Sequence, residues 1–348
     1  MRRAPHRGFT IVELMVAMTI SLILLAGVLA VVYSSKVAYG QNERVARLQE
    51  NGRAAVELML QDMRAGGFHG CTRTVPFSNT LTGSADLLWN FAAPVQGYEW
   101  DSAGTWVPDL DASIDSPRDG SDIVAVRTVV PGRPLMTTNA GMASTTADIT
   151  VSKNTADTLA NGTPVMISDC SAAAVFGVST FTDSGATATL VHTAGGAATG
   201  VGPGNDSADV GVEFKPGAQV VPVDTVVYYI RDSDTVRNGV ANPSLWRIIG
   251  AGAPQELIEG IEAMQILYGE DTDGDRLVNS YVSADAVTNW SNVISVTFGM
   301  LIRSVEPNSP EVDARTYTLL PGNTVGPFND HYERTLYTTT VTLRNTTS

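Results

Sequence analysis

The sequence predicts an α+β protein, a long N-terminal α-helix packed on a large antiparallel β-rich head. Three observations carry that prediction. Residues 14–35 form an uncharged, strongly apolar run, and charge resumes only at Lys36. The pattern then becomes amphipathic at helical spacing as far as Gly66-Gly67. From there to Ser348, β-branched or alternating runs recur between stretches rich in Gly, Thr, Ser and Asp. Composition agrees. Hydrophobic residues make up 43% of the 348-residue chain, enough for a sizeable core, and charged residues only 17%. That is below the roughly 25% of an average soluble domain, which argues against a helical bundle and against disorder. The formal net charge of −14 argues against a nucleic-acid binder, which needs a basic face to neutralise phosphates.

The helix comes first. About 20 apolar residues cross a bilayer core, and Leu14–Ser35 supplies them with only Gly27 as a weak spot. Three details argue against a secretory signal peptide. The run exceeds the roughly 7–15 residues of a signal core, and no A-x-A site follows it. An acid, Glu13, also stands at its start, where a charge deep in lipid costs roughly 2.5–3.5 kcal/mol. A plain membrane anchor explains neither Glu13 nor the Gly8-Phe9 junction. Beyond Ser35, Val45, Leu48, Ala55, Met59 and Met63 form a stripe widened by Val56 and Leu60. Glu43 with Arg47 and Arg53 with Glu57 are i,i+4 pairs on the opposite face. Gly40 and Gly52 weaken the helix, and Gly66-Gly67 stops it. The expected helix runs from about Phe9 to Ala65, with the stripe of its second half on a sheet.

The head follows from residue 67 to 348. Strands are expected at 122–130, 164–170, 173–181 and 220–230. The clearest alternation is near the end. Ile294, Val296, Phe298, Met300 and Ile302 share one face. Tyr337, Thr339, Val341 and Leu343 oppose Thr338, Thr340 and Thr342. Such alternation fits antiparallel strands with one covered face, the cover being the N-terminal helix. Residues 255–268 read equally as helix or strand, and 183–218 as a long loop or weak hairpin.

The N-terminus carries a specific resemblance. The string Arg7-Gly8-Phe9-Thr10-Ile11-Val12-Glu13-Leu14 resembles the cleavage site of type IV prepilins. The resemblance implies a leader over 1–8, cleavage between Gly8 and Phe9 by a prepilin peptidase, methylation of the new Phe9 amine, and Glu13 as the assembly glutamate. It implies segments at 9–35 (transmembrane and assembly helix), 36–66 (amphipathic continuation) and 67–348 (extracytoplasmic head). Further strings support a narrower likeness: Leu48 to Arg53, Asp62 to Cys71, Ser168-Asp-Cys170, Tyr268 to Asp275, Val293 to Arg303 and Val341 to Asn345. In order and spacing this series resembles PilW-type minor pilins of the type IV pilus. That likeness implies inner-membrane insertion with a periplasmic head, then assembly with other minor pilins and the major pilin. A pilus-tip role with an adhesin, in adhesion and twitching motility, also follows from it. Minor pseudopilins of type II secretion systems share the leader and a large β head, and a stand-alone membrane-anchored binding domain is a third alternative.

Cys71 and Cys170 would then lie outside the cytoplasm, where disulfides persist, and their place in the family-like strings suggests a bridge rather than two buried thiols. Asp271, Asp273 and Asp275 alternate like the first ligands of a calcium loop. The sixth position, however, is Arg276 rather than Gly, and the twelfth is Val282 rather than Glu. Asn279 and Asp285 are candidate additional ligands, and a polar turn is the alternative. Asp109, Asp111, Asp115, Asp119 and Asp122 read as a solvated acidic stretch. No zinc-like His spacing, G-x-S-x-G elbow or phosphate-binding loop occurs, so no enzyme and no cofactor beyond calcium are expected. Loss of the leader removes Arg2, Arg3 and Arg7 and moves the formal charge from −14 to −17.

Overall fold

A computed structural model describes residues 10–70, 75–101, 103–154, 157–195, 202–237 and 239–346. The chain forms two compact units, Met1–Gln49 and Glu50–Ser348. Helix α1 is Ile11–Ala65, close to the expected bounds; Phe9 lies outside the described residues.

In the first unit the apolar run is a bare helix. Ile11, Leu14, Met18, Leu22, Ile23, Leu29 and Tyr33 are all more than half exposed. This helix is long and apolar enough to cross a membrane. Arg47 meets Glu43 at 2.8 Å on the solvent side, whereas the expected Arg53–Glu57 pair is not among the ion pairs of the described residues. Both of its members point into water, where such a pair contributes a few tenths of a kcal/mol.

The second unit begins with the last turns of α1 and contains every strand. In chain order these are β1 (Phe77–Asn79), β2 (Val95–Trp100), β3 (Trp106–Val107), β4 (Ile123–Val129), β5 (Leu135–Thr137), β6 (Ile149–Ser152), β7 (Pro164–Ser168), β8 (Ala173–Gly177), β9 (Thr180–Asp183) and β10 (Thr187–Val191). They continue with β11 (Gln219–Arg237), β12 (Val240–Ile249), β13 (Gln255–Glu259), β14 (Ile261–Glu270), β15 (Ser280–Val282), β16 (Val293–Arg303), β17 (Tyr317–Leu320), β18 (Asn323–Val325) and β19 (Arg334–Thr342). The spine is β11, whose first residues pair with β5 and β7 and whose middle lies between β4 and β12. A second sheet has the order β15-β14-β16-β19, and β17-β18 is a separate hairpin. Among the described residues, only β1 with β8 is parallel.

The departures from expectation have local causes. The 173–181 run divides at Val178-Ser179 into β8 and β9, and β9 forms a hairpin with β10, which lies in the 183–218 stretch read as a long loop or weak hairpin. Residues 255–268 are two strands broken at Gly260, whose φ of +95° lets the chain turn between sheets. β16 is covered on both faces rather than one, its whole length being buried apart from Thr297 and Arg303. Hairpin β17-β18 supplies the second cover. A Cβ on Gly299 would stand 2.4 Å from the Leu319 carbonyl oxygen, so that glycine permits the hairpin to lie on β16.

The end of α1 seals the other face. Ala55, Met59 and Met63 are fully buried, and each large side chain so removed from water contributes about 1.5–3 kcal/mol. Gly52 reads as a weak spot in sequence. In the structure it is a contact point, since a Cβ there would overlap the Tyr337 ring and Ile302 Cδ1. Tyr228 of β11 donates to Asp62 Oδ2 at 2.6 Å. The helix stops as expected. Gly67 has φ +72°, its N–H bonds the Arg127 carbonyl at 2.9 Å, and Asn345 Nδ2 donates to the carbonyls of Ala65 and Gly66.

Candidate functional site

The start of α1 is the first candidate. Thr10 and Glu13 close a reciprocal capping box. The Glu13 N–H donates to Thr10 Oγ1 at 3.2 Å, while Glu13 Oε2 accepts from the Thr10 N–H and hydroxyl, both at 3.2 Å. This pairing satisfies donors that the first helical turn otherwise leaves open. Its sequence signal is the T-x-x-E string just before an apolar run, which reading Glu13 for assembly alone overlooks. Glu13 Oε1 has no partner among the described residues, so one oxygen remains for an outside cation. Gly8 and Phe9, the expected cleavage pair, lie outside the described residues. A carboxylate therefore stands at the head of a bare apolar helix, the arrangement a helix needs if it is to be covered by lipid or by other helices while keeping one charge for pairing.

The two sheets of the second unit meet at a junction the sequence does not announce. Asp122, expected in a solvated stretch, is only 1% exposed. Its N–H donates to the Met264 carbonyl at 2.8 Å. Its Oδ2 accepts from the Ile266 N–H at 2.7 Å. Ser121 Oγ accepts from the Met264 N–H, and Gln265 Nε2 donates to the Gly120 carbonyl. The 120–122 segment thus plays the part of a missing strand along the free edge of β14. Burial and then the nearby Glu99 push the Asp122 carboxyl well above its ordinary value. Glu99 is raised to about 7 by burial and then by Asp285, and its Oε2 is buried without a partner. The rest of the acidic stretch is as expected, with Asp109, Asp115 and Asp119 exposed.

A second buried charge cluster holds the start of β19. Arg334, fully buried, reaches Glu262 through Nε at 2.6 Å and Nη2 at 3.0 Å. It reaches Asp330 at 2.6 and 2.8 Å, and Asp313 at 3.3 Å. Its guanidinium lies 3.8 Å from the Phe328 ring centre. Arg303 joins through Glu262 and Asn242. Sequence offers little signal for this cluster, because apart from Asp330, four residues before Arg334, its members come from distant parts of the chain.

The acidic loop lies between β14 and β15. Carboxylate oxygens of Asp271, Asp273 and Asp275 come within 4.8 Å of one another. Asp271 accepts from the N–H groups of Gly274 and Arg276, Asp273 from Asp275, and Asp275 from Leu277. Those turn bonds hold Asp273 below the usual carboxylate range. Asn279 joins the loop through Asp273 at 3.2 Å. Asp285 does not, because it sits beside Glu99. Cys170 is disulfide-bonded; its expected partner Cys71 lies outside the described residues.

Two family models match the chain. One, described as a prokaryotic N-terminal methylation motif, covers residues 3–29. The other, described as Type IV Pilus-assembly protein W, covers residues 227–345. No curated protein and no solved structure matches. The methylation motif coincides with the capped apolar helix, and the second match takes in β12 to β19 with the whole β15-β14-β16-β19 sheet. A methylation-type N-terminus that fits an inner-membrane anchor, followed by an antiparallel-rich head with this match, supports a PilW-like type IV pilin.

Proposed function

We propose that this protein is a minor pilin that enters the inner membrane through residues 9–35, loses its leader between Gly8 and Phe9, and joins a pilus-tip complex that primes assembly. Its partners in this reading are prepilin peptidase, other minor pilins, the major pilin and a tip adhesin, and its outputs are adhesion and twitching motility. It acts by packing, with no chemistry of its own. The observation that carries the proposal is the bare apolar helix headed by Glu13 inside the methylation motif. Buried in a filament core, a lone carboxylate is expensive unless a cation meets it. The methylated amine of Phe9 on a neighbouring subunit supplies that cation.

Mass spectrometry of sheared pili tests the reading, with a chain that begins at N-methylated Phe9 as the expected result. An intact leader in the mature protein favours the anchored binding domain, and a chain found only with a secretion apparatus favours the pseudopilin. Two variants separate the cap from the charge. Glu13→Gln keeps a residue that can close the capping box but loses the charge. Thr10→Ala keeps the charge and loses about 1 kcal/mol of capping. Incorporation is expected to fall in the first and persist in the second. The reverse order would make Glu13 a helix cap only.

Two details complete the proposal. A Cys71–Cys170 bridge would close a long loop and contribute up to about 4.7 kcal/mol in the chain-entropy model. Alkylation of both cysteines without reductant would refute it. Calcium at Asp271, Asp273 and Asp275 is supported by their converging oxygens, and a melting temperature unmoved by millimolar calcium would leave the loop a turn.

A further inference from the structure

Strand β19 has one paired side and one open side, and the hydrogen-bond parity tells which residues face which. The Leu343 N–H bonds the Ile294 carbonyl and the Ser304 N–H bonds the Glu333 carbonyl, which fixes the ladder at both ends. Between them the register runs unbroken from Ser295 opposite Thr342 to Arg303 opposite Arg334. Antiparallel pairs alternate between bonded and non-bonded. Thr335, Tyr337, Thr339 and Val341 therefore bond to β16, and Leu336, Thr338, Thr340 and Thr342 turn their N–H and C=O groups away from the sheet. No strand pairs with that side among the described residues, and Thr338, Thr340 and Thr342 are exposed.

Open edges of this kind are normally blunted, and among the described residues five other edge strands of this head are. β13 carries Glu256 and Glu259 and pairs across an irregular register. β9 is four residues long and ends in Asp183, paired with Lys153. β1, β3 and β15 have three residues or fewer. The opposite edge of the same sheet is closed by Ser121 and Asp122. By contrast, β19 has no proline, no bulge and no charge from Thr335 to Thr342. It is also held rigidly, by the Arg334 cluster at one end and by Asn345 on the end of α1 at the other. Ordering the edge in advance lowers the cost of docking onto it.

We propose that the open edge of β19 receives an extended strand from a different pilus subunit, which adds a fifth strand to the β15-β14-β16-β19 sheet. The inference rests on the pilin reading. The two faces of the sheet state what strand would fit. On the α1 side it would continue Tyr337, Thr339 and Val341, so its residues there are apolar or β-branched. On the other side it would stand beside Thr338, Thr340 and Thr342, so its alternate residues are small and polar. Main-chain bonds would give the affinity and this alternation the specificity.

Thr340→Pro is the test. It removes one outward N–H, and proline is tolerated at the open side of an edge strand. Thr340→Lys is the second variant, a gatekeeper charge on an exposed side chain that shares a solvent-facing hydroxyl bond with Thr297, 2.8 Å away on β16. Each full-length variant is followed for leader processing, melting temperature in detergent and abundance in sheared pili. The expected result is a processed protein with a near-wild-type melt and about a tenfold or greater loss from pili, as expected when a docked strand loses a hydrogen bond and its fit. Either variant folded and incorporated at the wild-type level would overturn the edge proposal while the pilin reading stands. A wild-type chain absent from pili would overturn both. A wild-type homodimer in detergent that the lysine variant abolishes would assign the edge to a second copy and overturn the partner named here.

Discussion

Replacing Arg334 by Met is the sharpest test of how the C-terminal sheet is held. The side chain is fully buried and lies against Glu262 and Asp313, which are 7% and 3% exposed. Met keeps much of the volume but no charge. Glu262 would lose its principal cation, since Arg303 reaches it only at 3.3 Å, and Asp313 would keep only the largely exposed Arg315, at 2.8 Å. Breaking a buried pair from one side costs about 3–5 kcal/mol, because the remaining charge is stranded. At roughly 2 cal/mol/K of unfolding entropy per residue, that lowers the Tm of a body the size of Glu50–Ser348 by about 5–8 °C. Thermal unfolding of the detergent-solubilised full chain, followed by near-UV circular dichroism, reads it. A companion Arg334→Met/Glu262→Gln chain should recover part of the loss. The linkage is also signed. Asp313 is held at about 2 by its hydrogen bonds to Arg315, Tyr317 and Arg334, which outweigh its burial. Its contribution is present above its ordinary value of 3.8 and disappears as the pH falls towards 2. A drop under 1 °C in Arg334→Met would refute the view that this cluster carries load.

Other expectations follow from single contacts. Glu99 is raised from 4.5 to about 7, so stability should decline as the pH rises through that window. Glu99→Gln should flatten the decline in melts taken between about pH 4.5 and 7, and an unchanged slope would place the titration elsewhere. Gly299→Ala pushes a methyl group into the Leu319 carbonyl. Overpacking of this kind costs about 1–3 kcal/mol, and urea unfolding should show it together with faster proteolysis of the β17-β18 hairpin. Tyr228→Phe leaves the ring in place but removes the 2.6 Å bond to Asp62, for a loss of about 1.5–3 kcal/mol because the acceptor is charged.

Local periodicity made part of this fold legible. The bounds of α1, its stop at Gly66-Gly67, and strands β4, β7, β16 and β19 all follow from apolar spacing or alternation among near neighbours. What failed depended on residues far apart in the chain. Asp122 lies in a run of acids that is otherwise solvated, and nothing near it in sequence says that β14 will offer it two backbone donors. Gly52 looks like a flaw in a helix, and Gly299 carries no local signal. They are places where another element comes too close for a Cβ, which only the tertiary contact reveals. At the candidate site, the assembly role expected of Glu13 comes from the resemblance of its string, whereas the structure shows the residue as a helix cap. Its partnership with Thr10 was local and visible as T-x-x-E, whereas the Arg334 cluster joins residues 262, 303 and 313, which no short pattern links.

The place where the PilW match begins, residue 227, explains how so large a head can be built. It falls in the middle of β11. Residues 219–222 of that strand pair with β5 and β7, which belong to the unmatched part of the head. Its later residues pair with β12 inside the matched part. One continuous strand therefore joins both halves through main-chain hydrogen bonds, and the Ser121-Asp122 segment on β14 is a second tie. The unmatched half uses up one edge of the β14-β16-β19 sheet and leaves the other alone. Among the unmatched residues, Gly52 of α1 meets β19 at Tyr337, on the face of the strand and not on its open edge.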